Sequence, residues 1–244
     1  MNDAPRKQRP YTEEDILNYF RAHELDESIR EYLRFHAKRY VFLLSKVDSL
    51  EHQRILDIGP SFQTTLMRKL YPDSVVDTLG FLDTRFPRRQ NDRHIDFDLN
   101  DCLNQECWPA LEAPYDVVVM AEVLEHVYTA ARPVLTFVGS LLRPGGVLII
   151  QTPNAVNLGR RISTLRGRNP FGMIREEKKN PGHFCEFTIG DLSRATESAN
   201  LRVEEATLTN YFGSQGYRKS IYEALCSILP GDLRDGITLL ARKP

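Results

Sequence analysis

The sequence has little that would cross-link it or hold it in a bilayer. Its 244 residues include only four cysteines, Cys102, Cys107, Cys185 and Cys226. No two of them form a CxxC pair, and this scatter fits reduced thiols rather than a disulfide framework. No apolar run approaches the roughly 18 residues of a spanning helix. The opening MNDAPRKQRP lacks the apolar stretch of a secretory signal. The expectation is therefore a cytoplasmic protein with no membrane partner. An excess of charge is missing as well: 32 Lys and Arg against 33 Asp and Glu leave a net charge of -1. That excludes a surface basic all round, so binding to long nucleic acid would need a local patch. Hydrophobic residues at 41% and charged residues at 27% suit a chain that buries a core.

What is present falls into two parts. Residues 1–50 read as a helical extension. Residues 1–10 are polar and expected to be mobile. Thr12 and Asp15 form a capping-box pattern that predicts a helix over 12–22. Ile29, Leu33, Tyr40, Leu44 and Val47 recur at helical spacings and predict an amphipathic helix over 26–47. Residues 51–244 then alternate strands and helices. Strands are predicted at 55–58, 75–81, 95–97, 116–120, 147–150, 201–208 and 237–241. Helices are predicted at 64–70, 134–142, 191–199 and 218–228. The alternation predicts an α/β fold, a doubly wound parallel sheet with crossover helices. Residues 152–182 break this rhythm with prolines, glycines and the basic residues Arg160, Arg161, Arg166, Arg168, Arg175, Lys178 and Lys179. They read as a long basic lid, because such loops in compact domains are uncommon and usually functional.

Open α/β sheets bind ligands beyond the carboxyl ends of their strands. The first strand ends in Asp57-Ile58-Gly59-Pro60-Ser61, where a glycine lets backbone approach a ligand closely. The second ends near Asp83, whose carboxylate would accept from two ribose hydroxyls. Asp77, earlier on the same strand, is the alternative and more simply a solvated or turn residue. The third ends at Asp98-Leu99-Asn100, placed to meet an adenine. Two further stretches follow, YDVVVMAEVLEHV (115–127) and LLRPGGVLIIQTPN (141–154). In order and spacing these segments resemble the class I methyltransferases that use S-adenosylmethionine (SAM). The resemblance covers about residues 51–244 and implies a seven-stranded Rossmann-like sheet. It also implies a cofactor site at Asp57, Gly59, Pro60, Ser61, Asp83, Asp98, Leu99 and Ala121. One departure stands out: where the family's first loop commonly reads DxGxGxG, Ser61 and Gln63 occupy the later glycine positions.

Glu122, Glu125 and His126 follow a strand end and are expected to open a helix, which would stack them on one face. Two carboxylates and an imidazole in one place either surround a divalent cation or simply decorate a helix N-terminus. The later segment GHFCEFT (182–188) resembles a stretch in two metal-dependent groups, the ubiquinone-pathway O-methyltransferases and the small-RNA 2′-O-methyltransferases. That resemblance implies Glu122, Glu125, His126 and His183 as both metal ligands and catalytic residues. Magnesium or manganese is the expected ion, with cobalt and iron equally compatible with mixed His and Glu ligands. A cation would lower the pKa of an acceptor hydroxyl. Without one, His126 or His183 would serve as general base.

The expected reaction is O-methylation of a vicinal diol in a small polar acceptor such as a sugar, glycan or sugar phosphate. Asn154, Arg160 and Arg161 are the expected acceptor contacts, with His36, Arg39 and Tyr40 closing the other side. The alternatives are an RNA ribose, a catechol or quinone precursor, and a methyltransferase-like binding protein without activity. Nucleic acid is disfavoured by the neutral charge, and a greasy acceptor by the lack of an apolar wall or membrane-facing helix in the sequence. A homodimer is left open.

Overall fold

The computed structural model describes residues 11–21, 23, 25–177, 181–212, 224, 228 and 230–244. Residues 1–10, Lys178, Lys179, Cys226 and nearly all of the helix expected over 218–228 lie outside the described residues.

Local chemistry starts the N-terminal helices where the sequence places them. Asp15 N donates to Thr12 Oγ1 at 3.1 Å and Thr12 N donates to Asp15 at 2.9 Å, closing the capping box of α1 (Glu13–Arg21). Asp26 caps α2 (Glu27–Asp48) by accepting from Ile29 N at 2.9 Å. The remaining elements are β1 (Arg54–Ile58), α3 (Phe62–Leu70), β2 (Val75–Gly80), β3 (His94–Asp96), β4 (Tyr115–Ala121), α4 (Ala131–Leu141), β5 (Leu142–Pro153), α5 (Leu158–Leu165), α6 (Ile189–Ser198), β6 (Arg202–Thr209) and β7 (Gly236–Arg242).

The seven strands form one sheet in the order β3-β2-β1-β4-β5-β7-β6. Strands β1 to β5 pair in parallel, whereas β7 slots antiparallel between β5 and β6. The expected all-parallel sheet is corrected there to a mixed one. Strand periodicity explains why the central strands are apolar throughout. Leu56, Ile58, Val118, Met120, Leu148 and Ile150 face one core, which Leu135, Val138 and Leu192 of α4 and α6 complete. Ile55, Val117, Val119, Val147 and Ile149 face the other, packed against Leu33, Tyr40, Leu43 and Leu44 of α2 and against Leu66 and Met67 of α3. Each such side chain contributes roughly 1.5–3 kcal/mol on burial. Helix α2 thus forms part of the layer over this face.

Residues 152–182 are not one loop. Strand β5 continues through Pro153, and Asn157 then caps α5 by accepting from Arg160 N at 3.1 Å. The Asn cap was the available signal, overshadowed by the prolines and charges around it. Among the described residues, no helix is long and apolar enough to cross a membrane.

Candidate active site

Strand order reverses between β1 and β4, and a cleft opens beyond their carboxyl ends, as doubly wound sheets require. Its volume is about 1470 Å³, more than the ~300–1,000 Å³ typical of a single small-molecule site. Gly59, Pro60, Ser61, Asp83, Asp98, Leu99 and Ala121 all line it, so seven of the eight expected cofactor residues border this cleft. Gly59 takes φ +77°, and a Cβ there would meet Val123 Cγ2 at 2.6 Å. Only glycine fits this close crossing of β1's end over Val123, two residues beyond β4.

Asp57 lies elsewhere. It is fully buried beneath the loop, accepting from Gln63 Nε2 at 3.0 Å and from Thr64 Oγ1 at 2.5 Å. Burial pushes its pKa up to about 7, against the pull of those two hydrogen bonds. Its part is to hold the loop's shape. Gln63 at a glycine position therefore has a task of its own, since its Oε1 also accepts from Arg39 Nη1 at 3.1 Å. Asp77 is neither solvated nor in a turn. It is buried at mid-strand, accepting from Tyr115 Oη at 2.8 Å and pairing with Arg54 at 3.1 Å. Asp83 remains the cleft carboxylate, paired with Arg85 at 2.6 Å. Asp98 accepts from Asn100 N at 3.0 Å, and Asn100 Oδ1 in turn accepts from Tyr128 N at 2.9 Å, which ties down the loop after β4.

The expected helix at Glu122–His126 is a single tight turn over Leu124–His126. Glu122 precedes it with φ +59°, its N–H donating to Gln151 O at 2.8 Å. A left-handed residue breaks helical stacking, so Glu122 does not stack with Glu125 and His126 on one helix face. One atom each of Glu125, His126 and His183 lies within 4.8 Å of the other two, and Glu122 stands outside that group. The segment carrying His183 is brought in by backbone: Phe184 N donates to Glu125 O at 2.8 Å, and Phe187 pairs with Asn154 in an isolated parallel bridge.

Both imidazoles are oriented. His126 Nδ1 is 2.8 Å from Gly182 O, and His183 Nδ1 is 2.7 Å from Glu186 Oε1. A carbonyl and a carboxylate only accept, so each Nδ1 carries the proton and each Nε2 keeps its lone pair. The rings meet edge to face at 4.7 Å. Burial lowers the pKa of His126, and burial followed by the charge of His126 lowers that of His183. Beside them Glu125 is fully buried, with Oε2 accepting from Thr152 Oγ1 at 3.0 Å and Oε1 lacking a partner. Burial raises its pKa to about 7. Burial, and then the charge of Glu125, raises Glu122 well above the usual carboxylate range. Arg39 of α2, 1% exposed, is the cation facing both carboxylates.

Two neutral imidazole nitrogens and an orphaned buried carboxylate oxygen fit a divalent cation in donor type. Their 4.8 Å spread is slightly more than two opposite bonds of about 2.1–2.2 Å would bridge.

The expected acceptor contacts are arranged differently. Asn154 is buried, donating to Asp232 O at 2.8 Å and Arg234 O at 2.7 Å. Arg160 turns inward to pair with Glu186, and Arg161 pairs with Asp232 at 2.5 Å. All three fasten the segment after β5. His36 and Tyr40 lie on the buried stripe of α2, while Tyr32 and Arg39 of the same helix reach the cleft. The segment 152–182 does come to the cleft, through Ile174, Arg175, Glu176, Glu177 and Pro181.

The profile of a methyltransferase-domain family matches residues 17–206. The chain belongs to that family. A probable S-adenosylmethionine-dependent methyltransferase from Mycolicibacterium smegmatis is 32% identical over 109 residues, which is 43% of this chain and 35% of the relative. The match thus spans about a third of the relative's length. Among solved structures, a SAM-dependent methyltransferase from Archaeoglobus fulgidus superposes with a TM-score of 0.58 at 16% identity, covering 89% of this chain and all of that one. The N-methyltransferase NodS from Bradyrhizobium japonicum, in complex with S-adenosylhomocysteine, gives 0.52 at 16%, covering 86% and 88%. Human N-acetylserotonin methyltransferase in complex with SAM gives 0.53 at 13%, covering 95% of this chain and 56% of that one. At these identities the structures share the fold alone, so the acceptor has to be argued from the site. Glu186 is the residue at this site that sequence reasoning missed, although its spacing three residues after His183 was a signal. Arg39, expected with His36 and Tyr40 to close the pocket, and Gln63, noted as a departure in the first loop, have roles that only their contacts reveal.

Proposed function

We propose that this methyltransferase moves the methyl group of SAM to a hydroxyl oxygen of a small polar acceptor bearing vicinal hydroxyls, with a divalent cation held by Glu125, His126 and His183. The supporting observation is the pair of imidazoles with Nδ1 already bonded, set beside an orphaned buried carboxylate oxygen at the cleft. When bound, the cation supplies Lewis acidity that lowers the hydroxyl's pKa. The SAM sulfonium needs no activation: its S–CH₃ bond breaks as the O–CH₃ bond forms, and S-adenosylhomocysteine leaves. Gly59, Ser61, Asp83 and Asp98 hold the cofactor along one wall. Glu122 lies in the cleft outside the ligand group and takes the hydroxyl proton. Arg39 faces Glu122 and Glu125 and keeps their shared negative charge tolerable.

Sugars and sugar phosphates are the acceptor class in this reading, and an aromatic diol is the second. Tyr32 and Phe62, with rings 5.9 Å apart, line one side of the cleft, and Tyr128 and Phe184, 5.8 Å apart, line another, which favours the aromatic diol. The deciding assay measures S-adenosylhomocysteine release with a sugar diol and with a catechol, before and after chelation. Methyl transfer lost in EDTA and restored by Mn²⁺ or Mg²⁺, with SAM affinity unchanged, is the expected result. Full turnover in excess EDTA removes the cation from the reading and makes His126 the leading base.

A further inference from the structure

Gln63 stands in the first loop at a position commonly held by glycine, yet it is wholly buried and lies behind the cleft rather than bordering it. It is the second residue of α3, which Ser61 caps, so its backbone is helical and needs no glycine. Its amide makes two contacts in a dry site. Nε2 donates to Asp57 Oδ1 at 3.0 Å, and Oε1 accepts from Arg39 Nη1 at 3.1 Å. A carboxylate only accepts and a guanidinium only donates, so these two neighbours fix which way the amide points. Glycine here would leave a buried acceptor on Asp57 and a buried donor on Arg39 unmet, and asparagine is one methylene too short to span them.

Arg39 takes its direction from this bond. It comes from α2, is 1% exposed, and borders the cleft together with Gly59 and Ser61. Its Nε donates to His36 Nδ1 at 3.2 Å. Glu122 and Glu125 attract it from the cleft side, but two neutral acceptors, an imidazole and an amide, set the plane of its guanidinium. A buried cation must have its donors met, and neutral partners meet them without cancelling the charge. That charge stays available to an anionic ligand. The cofactor brings one, because its methionine part ends in a carboxylate, which a guanidinium fork matches in shape and sign.

We propose that Gln63 is a positioning residue for the cofactor, holding the Arg39 guanidinium where it meets the carboxylate at the amino acid end of SAM. The proposal rests on the SAM reading of the cleft and is independent of the acceptor and of any cation. Gln63 acts through Arg39 and touches neither reactant.

Calorimetric titration of the full chain tests it with three ligands: SAM, S-adenosylhomocysteine and 5′-methylthioadenosine, which keeps the nucleoside and the sulfur but lacks the amino acid. Gln63→Met preserves the volume and removes both hydrogen bonds. It is expected to weaken SAM and S-adenosylhomocysteine on the order of 10-fold, or about 1.4 kcal/mol, and to leave 5′-methylthioadenosine unchanged. The unchanged ligand also reports that loop and fold survive. Gln63→Glu, similar in volume, pairs ionically with Arg39 and cancels its charge; it is expected to give the same split and serves if Gln63→Met does not fold. Combined with Arg39→Met, Gln63→Met is expected to bind SAM no more weakly than Arg39→Met alone, since coupled residues are not additive. Equal weakening of all three ligands makes Gln63 a loop-shaping residue, and additive losses detach it from Arg39; either result overturns the proposal. An unmodified chain that binds neither SAM nor 5′-methylthioadenosine removes the cofactor reading, and the proposal with it.

Discussion

The Nδ1 of His183 lies 2.7 Å from Glu186 Oε1, and this contact commits the other ring nitrogen to the space shared with His126 and Glu125. Glu186 is held in turn by Arg160, so the orientation of His183 is set from behind by an ion pair. Carboxylates in this position typically contribute about 10–100-fold to metal affinity. Glu186→Gln is therefore expected to weaken Mn²⁺ binding by about that factor, with SAM affinity unchanged, when both are measured by calorimetric titration. Unchanged Mn²⁺ affinity would leave Glu186 as a partner of Arg160 alone.

Asp83 and Asp57 are expected to separate by readout. Asp83→Ala removes a cleft carboxylate and should weaken both SAM and S-adenosylhomocysteine by roughly 10–100-fold, the range of a charged hydrogen bond. Asp57→Ala strips the acceptor from Gln63 Nε2 and Thr64 Oγ1 in a dry site, and should lower folding stability by about 1–3 kcal/mol. Thermal melts with and without cofactor check both. A stable Asp57→Ala protein with specifically lost SAM binding would place Asp57 on the cofactor after all.

Gly59→Ala is expected to abolish cofactor binding and to destabilise the fold. The new methyl group meets Val123 Cγ2 at 2.6 Å on a residue with φ +77°. Pairing it with Val123→Ala should recover part of the stability but not the strain of the backbone. Denaturant titration of the single and double variants measures the split.

Acid should unfold the protein partly through His36. Its Nδ1 accepts from Arg39 Nε at 3.2 Å, so the ring must stay neutral. Burial, and then Arg39, lower its pKa from 6.5 to about 3. A folded pKa below the unfolded one means stability that is present above pH 6.5 and lost as pH falls toward 3. About 2 kcal/mol should go between pH 6.5 and 4.5 from this ring alone. Asp57 and Asp235, raised to about 7 and about 6, act in the opposite direction, losing stability as pH rises through those values. The comparison is therefore His36→Gln against the unmodified chain at each pH in urea. Parallel curves from pH 6.5 to 4.5 would show that His36 carries none of the acid sensitivity.

The elements of this fold were legible because their causes are local. A Thr–Asp cap, an alternating run of valines and a proline-glycine-glycine stop act within a few residues, and they put nearly every described helix and strand where the sequence predicts it. The wall of the cleft was legible for a related reason, since strand ends in a doubly wound sheet must point the same way. The expectation for His183 came from the resemblance of GHFCEFT, and its place beside His126 and Glu125 depends on a backbone bond from Phe184 to Glu125, across 59 residues of chain.

What only the tertiary structure decided are the pairings between distant residues and the faces that packing selects. Arg160, Arg161 and Asn154 looked free to meet an acceptor until Glu186, Asp232 and Arg234 proved to be their partners. The roll of α2 about its axis buried His36 and Tyr40 and sent Tyr32 and Arg39 to the cleft, because the Leu33–Tyr40–Leu44 stripe had a sheet face to cover. Glu122 parted from Glu125, His126 and His183 when its backbone turned left-handed to bond Gln151. Local propensity is written residue by residue, but an ion pair or a buried face exists only once the chain has closed on itself, and that closure is what selected the chemistry of this site.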